Sequence, residues 1–276
     1  HNWADFDSAS TICGSRSYAL KNEMIFLERA IQQLAMDKIV SKGFELYSFP
    51  SMAKEFAFYG TGHFPSSKED VYKFEDDEYL TGTAEVQLNS IYAGRILNEN
   101  DLPIKIGGFS SCFRREAGSH GKDVKGLVRV HQFTKVEQYI ICKADLEEGE
   151  KMHQFLLNNA EEILQDLELP YRIIECCTGD MGVGKYRMYD VEAWVPTQNK
   201  YRETHSCSNL TDWQARRTNI RYRDNNGNIK FAYTLNNTAI ATPRVLVPFI
   251  ENHQTKDGKI RIPVALRKYL GNREYL

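Results

Sequence analysis

The chain has 276 residues, with 35 lysine and arginine side chains against 37 aspartate and glutamate side chains and a hydrophobic content of 42%. This length supplies a core for one large domain, which we take as residues 1–276, and the formal net charge of -2 excludes a strongly basic surface that grips nucleic acid mainly through phosphates. No apolar run approaches the roughly 20 residues of a membrane span and no signal-peptide pattern stands at the N-terminus, so we expect a cytoplasmic protein without membrane segments.

The predicted elements begin with a helix from Met24 to Lys42, where apolar side chains recur at helical spacing and Gly43 follows as a stop signal. The segment from Phe44 to Phe49 is typical of a short strand that ends at Pro50. We expect a second helix from Ala84 to Leu97.

The middle of the chain predicts two strands that flank a loop. A strand from Ile104 to Phe113 precedes a polar, glycine-rich loop from Arg115 to Gly126, and a long alternating strand from Val128 to Cys142 follows. The helical period returns from Leu146 to Leu169 and stops before Pro170.

The last third of the chain predicts a run of strands and a closing helix from Thr242 to His253, with Asn226-Gly227 as the turn between the last two strands. The predicted strands are Tyr171–Cys177, Tyr186–Val195, Tyr201–Cys207, Asn219–Arg223 and Ile229–Thr234. Consecutive strands with short turns, and helices grouped elsewhere, favour an α+β fold in which helices flank an antiparallel sheet.

Two apparent sites are rejected from the residues alone. The segment from Gly179 to Lys185 has the glycine and lysine spacing of a phosphate-binding loop, but Tyr186 stands where that loop needs Ser or Thr and the following residues alternate like a strand. Six cysteines contain no C-x-x-C pair, and no histidine flanks the adjacent Cys176 and Cys177. We therefore expect reduced, structural thiols and no zinc site.

The stretch from Phe113 to Ser119 and the polar face of the following strand are the most informative features. Side chains alternate along a strand, so one polar face is expected to carry Arg129, His131, Phe133, Lys135, Glu137 and Tyr139. A guanidinium, an aromatic ring and a carboxylate at regular intervals suit a triphosphate nucleotide and a small amine. An ordinary solvated strand face with a charge pair remains the alternative from this strand alone.

At these residues the chain resembles the class II aminoacyl-tRNA synthetases, and within them the seryl enzymes. Phe113-Arg114-Arg115-Glu116 is similar to the second motif of the class, Arg244 to the arginine of the third, and Pro50 to the first motif. Segments similar to seryl-specific ones are Thr83-Ala84-Glu85, Cys177-Thr178-Gly179-Asp180-Met181-Gly182, Tyr201-Arg202-Glu203, Ser206-Cys207-Ser208-Asn209 and Gln214-Ala215-Arg216-Arg217. The resemblance runs from about Gly14 to Tyr275 and implies the class II catalytic fold.

The resemblance implies a role for each matching residue. Arg114, Arg244 and Glu203 would be catalytic. The ATP-binding set would be Arg114, Arg115, Glu116, Arg129, Phe133, Glu203, Thr204, His205, Ser206 and Arg244. The serine-binding set would be Thr83, Ala84, Glu85, Arg114, Glu137, Asn236 and Thr238. Glu203 and Ser206 would also ligate Mg²⁺, a hard cation that prefers oxygen ligands.

The implied activity is ATP-dependent formation of seryl-adenylate, with transfer to tRNA(Ser) in a full-length enzyme and a homodimer as the assembly. Enzymes of this family carry a coiled-coil arm ahead of the catalytic domain, and no heptad seam precedes the domain here. We therefore expect weak tRNA binding by this chain. Transfer of serine to another acceptor, such as a carrier protein, and a catalytically inactive binding paralogue remain alternatives.

Two departures from the family pattern stand out. His205 occupies a position between Glu203 and Ser206 where a small residue is expected. Pro243 is acceptable in a first helical turn, whereas Pro248 is expected to kink the closing helix because it lacks a backbone donor.

Overall fold

The computed structural model describes residues 2–118, 123 and 125–276. His1, Ser119 at the end of the predicted motif, and residues 120–122 and 124 of the predicted loop lie outside the described residues. Within the described residues the strands are β1 (Ala4–Asp5), β2 (Ala19–Leu20), β3 (Glu45–Tyr47), β4 (Met52–Lys54), β5 (Glu78–Leu80), β6 (Ile96–Asn98), β7 (Ile104–Phe113), β8 (Gln132–Cys142), β9 (Tyr171–Glu175), β10 (Arg187–Val195), β11 (Lys200–Asn209), β12 (Arg221–Arg223), β13 (Ile229–Phe231) and β14 (Tyr233–Thr242).

The long α-helices follow from apolar spacing, and two of the described helices begin at an aspartate side-chain cap. In the same described part of the chain the α-helices are α1 (Phe6–Cys13), α2 (Glu23–Ser41), α3 (Glu55–Thr61), α4 (Glu85–Ser90), α5 (Leu146–Asp166), α6 (Trp213–Thr218), α7 (Leu246–His253) and α8 (Val264–Arg267). The carboxylate of Asp145 caps α5 by accepting a hydrogen bond from the backbone N–H of Glu148 at 2.9 Å. No described helix combines the length and the apolar character that a membrane crossing requires.

The central sheet has the order β3-β7-β8-β14-β11-β10-β9 in the described chain. Only its edge pair, β3 with β7, is parallel, and the other neighbouring pairs are antiparallel. Helices cover both faces of this sheet, so the α+β prediction is confirmed, with one parallel pair added to the antiparallel sheet.

The two faces of the sheet are covered by different helices and support different cores. Helices α2 and α5 pack on one face, where Val136 and Ile240 join the larger apolar core. Helices α4 and α6 pack on the other face around Tyr139, and a smaller core forms there. This second face is polar where the helices leave it open, between the ends of β8, β11 and β14, and the candidate site lies in that opening.

Two predicted elements are wrong in their extent. The helix predicted from Ala84 to Leu97 stops at Ser90, since Gly94 takes a left-handed φ of 75° and its N–H bonds the carbonyl of Thr218. Residues 96–98 then form β6, parallel to β12. The strand predicted from Val128 begins at Gln132, because the backbone before it bonds other segments: the carbonyl of Val128 accepts from Arg244, and the N–H of His131 donates to the carbonyl of Arg16.

Two further predictions near the C-terminus need correction. The strand predicted from Ile229 to Thr234 is divided, because β13 ends at Phe231 and a separate central strand, β14, starts at Tyr233 and continues to Thr242. The closing helix starts at Leu246 rather than Thr242, and Pro248 is its third residue. The backbone nitrogen of a first-turn residue has no intrahelical hydrogen bond to lose, so the reason for expecting a kink at Pro248 does not apply at this position.

Candidate active site

A cavity of about 600 Å³ opens on the polar face of the central sheet. Its walls come from β8, β11 and β14, from the turn before α4, and from the loops after α3, after β7 and before β10. The structure brings these sequence-predicted site residues to its wall: Thr83, Glu85, Arg114, Glu116, Arg129, Phe133, Glu137, Glu203, Thr204, Ser206, Asn236, Thr238 and Arg244.

A β-bulge in β11 decides which of its side chains reach the cavity. Ser206 pairs with Asp190 and Glu203 pairs with Glu192, so that Thr204 is the extra residue on its strand. A bulge resets the alternation of side chains. As a result Glu203 and Ser206 share the cavity face although they lie three positions apart.

A network of buried polar groups forms the floor at one end. The ammonium of Lys135 forms an ion pair with the carboxylate of Glu137 and donates to the hydroxyl of Thr83 at 2.7 Å. That hydroxyl lies 3.2 Å from Glu137 Oε2, to which it donates. Burial raises the pKa of Glu137, and the neighbouring Lys135 opposes that rise. This end of the cavity is suited to an ammonium group.

A second carboxylate lies beside this network. Glu85, the first residue of α4, accepts hydrogen bonds on Oε1 from the amides of Gln214 at 2.6 Å and Asn236 at 2.9 Å. Burial raises its pKa, while Gln214 and nearby cations favour the ionised form.

The other end of the cavity combines guanidinium groups with an aromatic ring. The guanidinium carbon of Arg114 lies 5.2 Å from the centroid of the Phe133 ring. Arg129 Nη1 donates to Glu116 Oε2 at 2.5 Å. Arg244 is held by the carbonyl oxygen of Val128, to which its Nε donates at 2.9 Å. Three guanidinium groups around one opening create a site for several negative charges.

Three predicted residues are placed outside the cavity wall. Ala84 is fully buried and packs in the smaller core. Arg115 is exposed, and its backbone N–H bonds the carbonyl of Asp70. His205 lies on the opposite face of β11, where its Nε2 is 2.9 Å from the carbonyl oxygen of Ala239. The predicted contacts of these three side chains with substrate are therefore not supported by their positions.

Sequence reasoning missed several cavity residues on two loops. His63 follows α3, and Lys185 closes the glycine-rich segment that resembles a phosphate-binding loop. Burial, together with the cations Arg114, Lys135 and Lys185, lowers the pKa of His63 to about 4. The glycine spacing marks a loop that borders the cavity, although the loop is not a phosphate-binding loop.

Trp213 holds these two loops together. Its ring lies between Gly62 and Gly184, and a Cβ atom added at either glycine would overlap it. Both glycines also take left-handed φ angles, 79° and 87°, which side-chain-bearing residues rarely adopt. The guanidinium of Arg217 covers the ring at 4.7 Å from its centroid. The two loops that border the cavity are thus fixed against one another.

Glu203 and Ser206 offer hard oxygen ligands for a divalent cation. Within the described residues no group of three or more His, Cys, Asp or Glu side chains could hold a metal ion alone. Mg²⁺ commonly uses one or two carboxylates and completes its shell with water and substrate phosphates, so two ligands fit it. The carboxylate of Asp190, cross-strand from Ser206, has a buried Oδ1 atom without a hydrogen-bond partner, which further fits a nearby cation or its water shell.

Comparisons with known proteins identify the family of the chain. The family model of the tRNA synthetase class II core domain (G, H, P, S and T) matches residues 72–253. A serine--tRNA ligase of Deinococcus radiodurans is 57% identical over 99% of this chain, which covers 65% of that protein.

Two solved structures share the fold. The seryl-tRNA synthetase from Pyrococcus horikoshii, complexed with ATP, has a TM-score of 0.94 at 48% identity, covering 99% of this chain and 61% of that one. The cytoplasmic serine-tRNA ligase from Naegleria fowleri, in complex with AMP, has a TM-score of 0.92 at 32% identity, covering 99% and 64%. This chain therefore spans less than two thirds of the length of these relatives, and it belongs to the class II tRNA synthetase family as a homologue of the serine--tRNA ligases.

Proposed function

We propose that the chain activates L-serine with ATP to give seryl-adenylate and pyrophosphate. The observation that carries the proposal is one cavity with two carboxylates, Glu85 and Glu137, at one end and three arginines at the other. High identity to serine--tRNA ligases, and a TM-score of 0.94 to a relative complexed with ATP, support the same reaction.

In this reaction an oxygen of the serine carboxylate attacks the α-phosphorus of ATP, and the bond from that phosphorus to the β-phosphate oxygen breaks. Arg114 would contact both the carboxylate and the α-phosphate, and so stabilise the charge that builds at phosphorus. Its planar guanidinium can donate two parallel hydrogen bonds, which a lysine cannot. Arg129 and Arg244 would hold the β- and γ-phosphates, while Phe133 stacks on adenine and Glu116 accepts from its amino group.

Recognition of serine would depend on the buried polar end. The ammonium would pair with Glu85 and Glu137, whose carboxylates are held by neighbouring donors. The hydroxyl of Thr238, and the amide of Asn236, would complete the pocket. Alanine is rejected at such a site because it would leave buried polar groups without a partner.

Glu203 and Ser206 would bind Mg²⁺, which supplies charge neutralisation and orientation of the phosphates when it is bound. We further propose that residues 1–276 act as a single catalytic domain, that a full-length enzyme transfers the seryl group to tRNA(Ser) in the cytoplasm, and that the enzyme is a homodimer. The names of the relatives support the tRNA step, and Pro50 resembles the family motif at the dimer interface.

An arginine substitution tests the proposed chemistry. Arg114→Ala should lower serine-dependent ATP–pyrophosphate exchange by about 100-fold or more, as loss of a transition-state donor does elsewhere. Arg223→Ala, at an exposed position of β12 outside the cavity wall, is the matched control and should retain activity. Both variants should unfold at the temperature of the parent protein. A folded Arg114→Ala protein with undiminished exchange would refute the assignment.

A further inference from the structure

Gln214 is a buried residue of α6 that lies next to the cavity without lining it. Its side chain has no exposed surface. It nevertheless contacts Glu85, which does line the cavity. A residue in this position can act on a ligand only through the group that it holds.

Four hydrogen bonds fix the amide of Gln214. Its Nε2 donates to Glu85 Oε1 at 2.6 Å and to the carbonyl oxygen of Thr61 at 3.2 Å. Its Oε1 accepts from the hydroxyls of Tyr139 at 2.9 Å and Thr234 at 3.0 Å. Reversing the amide would place its oxygen against two acceptors, so the orientation is determined by its partners. The two donors and two acceptor positions of the side chain are all used.

The carboxylate of Glu85 is oriented by these contacts. Gln214 and Asn236 both donate to Oε1, from α6 and from β14. Among the described residues no side chain donates to Oε2, which leaves this oxygen for a group inside the cavity. Two donors from different elements prevent the carboxylate from rotating, because rotation would break both hydrogen bonds.

We infer that Gln214 is a positioning residue for serine recognition, whose amide holds Glu85 so that Oε2 faces the substrate ammonium. This inference rests on the proposed function, since it takes serine as the ligand of Glu85. Gln214 touches neither substrate nor reacting atoms, and its effect reaches the site through Glu85 alone.

Gln214 also favours the ionised form of Glu85. Burial raises the pKa of Glu85, and the hydrogen bond from Gln214 acts in the opposite direction. The other charged groups that act on this carboxylate are Lys135 and Glu137 of β8, Lys185 of the glycine-rich loop and Arg114 after β7. Loss of the Gln214 donor should therefore raise the pKa of Glu85 further. Binding of the serine ammonium should then be lost at a higher pH than in the parent protein.

The first test is Gln214→Glu, which keeps the length of the side chain and an acceptor for Tyr139 and Thr234. It replaces the donor to Glu85 by a second carboxyl group. We expect KM for serine to rise by at least about tenfold, the effect of losing a hydrogen bond to a charged group. We expect KM for ATP to stay within about twofold, and the acidic limb of kcat/KM for serine to move to higher pH. An unchanged KM for serine, or equal rises for both substrates, would overturn the inference.

The second test is the exchanged pair Glu85→Gln with Gln214→Glu. This double variant restores a hydrogen bond between the two side chains, but it moves the negative charge from position 85, which lines the cavity, to position 214, which does not. We expect it to recover the melting temperature, relative to Gln214→Glu, while KM for serine stays high. Recovery of KM for serine would show that the pair is merely structural and would sink the inference. The exchanged pair decides the question even if Gln214→Glu alone does not fold.

An assay of the parent protein distinguishes failure of the proposed function from failure of the role of Gln214. If the unsubstituted chain shows no serine-dependent ATP–pyrophosphate exchange, the proposed function fails. If the parent activates serine and Gln214→Glu leaves KM for serine unchanged, only the role of Gln214 fails.

Discussion

The ammonium of Lys135 and the carboxylate of Glu137 form an ion pair on the floor of the cavity, two residues apart on the same face of β8. Only 9% of the Lys135 side chain and 2% of the Glu137 side chain are exposed. Water therefore screens this pair weakly, and each charge depends on the other for compensation.

Breaking this pair should destabilise the protein. Lys135→Met leaves Glu137 as an uncompensated buried charge, and we expect it to lower the free energy of unfolding by about 3 kcal/mol. Lys73→Met removes one partner of the exposed Lys73–Asp77 ion pair and should cost less than about 1 kcal/mol. Urea denaturation at pH 7 measures both. If Glu137→Gln is added to Lys135→Met, most of the lost stability should return, because the buried charge is then gone.

Protonation of His205 should lower stability in mild acid. Burial lowers the pKa of this side chain from 6.5 to about 4, so the unfolded chain takes up a proton at a higher pH than the folded chain. The contribution of neutral His205 to the free energy of unfolding is fully present above about pH 6.5 and is lost as the pH falls towards 4. Between pH 7 and pH 5 the loss should be about 2 kcal/mol.

Comparison with His205→Gln isolates this effect, because glutamine can still donate to the carbonyl of Ala239 and does not titrate. His153 and His253 are also buried, and they contribute equally to both proteins. Between pH 7 and pH 5 the denaturation midpoint should fall further in the parent protein than in the variant. An equal fall of the midpoint in both proteins would show that His205 does not titrate as its burial implies.

The contact of Trp213 with Gly184 should be necessary for the shape of the cavity. Gly184→Ala would overlap the ring at a left-handed φ, so the loop that carries Lys185 must shift. We expect KM for serine or ATP to rise by about tenfold. Gly179→Ala, in the same loop, meets no atom within 4 Å and lacks a left-handed φ, and it should behave like the parent protein. Steady-state exchange kinetics compare the two variants, and similar kinetics for both would contradict the role of Trp213.

The proposed metal ligands predict a changed magnesium requirement. In Glu203→Gln a neutral amide replaces the charged ligand, and we expect the Mg²⁺ concentration for half-maximal exchange to rise by at least about tenfold. Glu175→Gln serves as the control, because Glu175 is an exposed residue of β9 whose carboxylate pairs with Arg187. An identical magnesium titration for both variants would place the cation elsewhere.

Long periodic segments of the fold could be predicted from the sequence, and the centre of the sheet could not. Helix α2 and strand β7 appear within one residue of their predicted ends because their apolar patterns are continuous. Strand β14 was missed beyond Thr234, because Asn236 and Asn237 have a low preference for strands. Their amides are satisfied by tertiary contacts, to Glu85 and to the carbonyl of Leu156, which no local pattern reveals.

Motifs located thirteen residues of the cavity wall, and they did not reveal the groups behind it. The family resemblance covered Arg114, Glu137 and Arg244, which the fold brings to one cavity. It also suggested His205, but the alternation of β11 and its bulge turn that ring away. The hydrogen bonds from Gln214 to Glu85 and to Thr61 join residues more than a hundred positions apart, so they arise only from the folded chain.

Serine-dependent ATP–pyrophosphate exchange by the parent protein tests the proposed function most directly. Purified chain with ATP and Mg²⁺ would be assayed with serine, and then with alanine, threonine and glycine in its place. We expect exchange with serine that exceeds exchange with the other three amino acids by at least about 100-fold, since alanine and glycine lack the hydroxyl that the polar pocket requires and threonine adds a methyl group beside it. Exchange with none of the four, by a folded protein that binds neither ATP nor serine in calorimetry, would contradict the proposal.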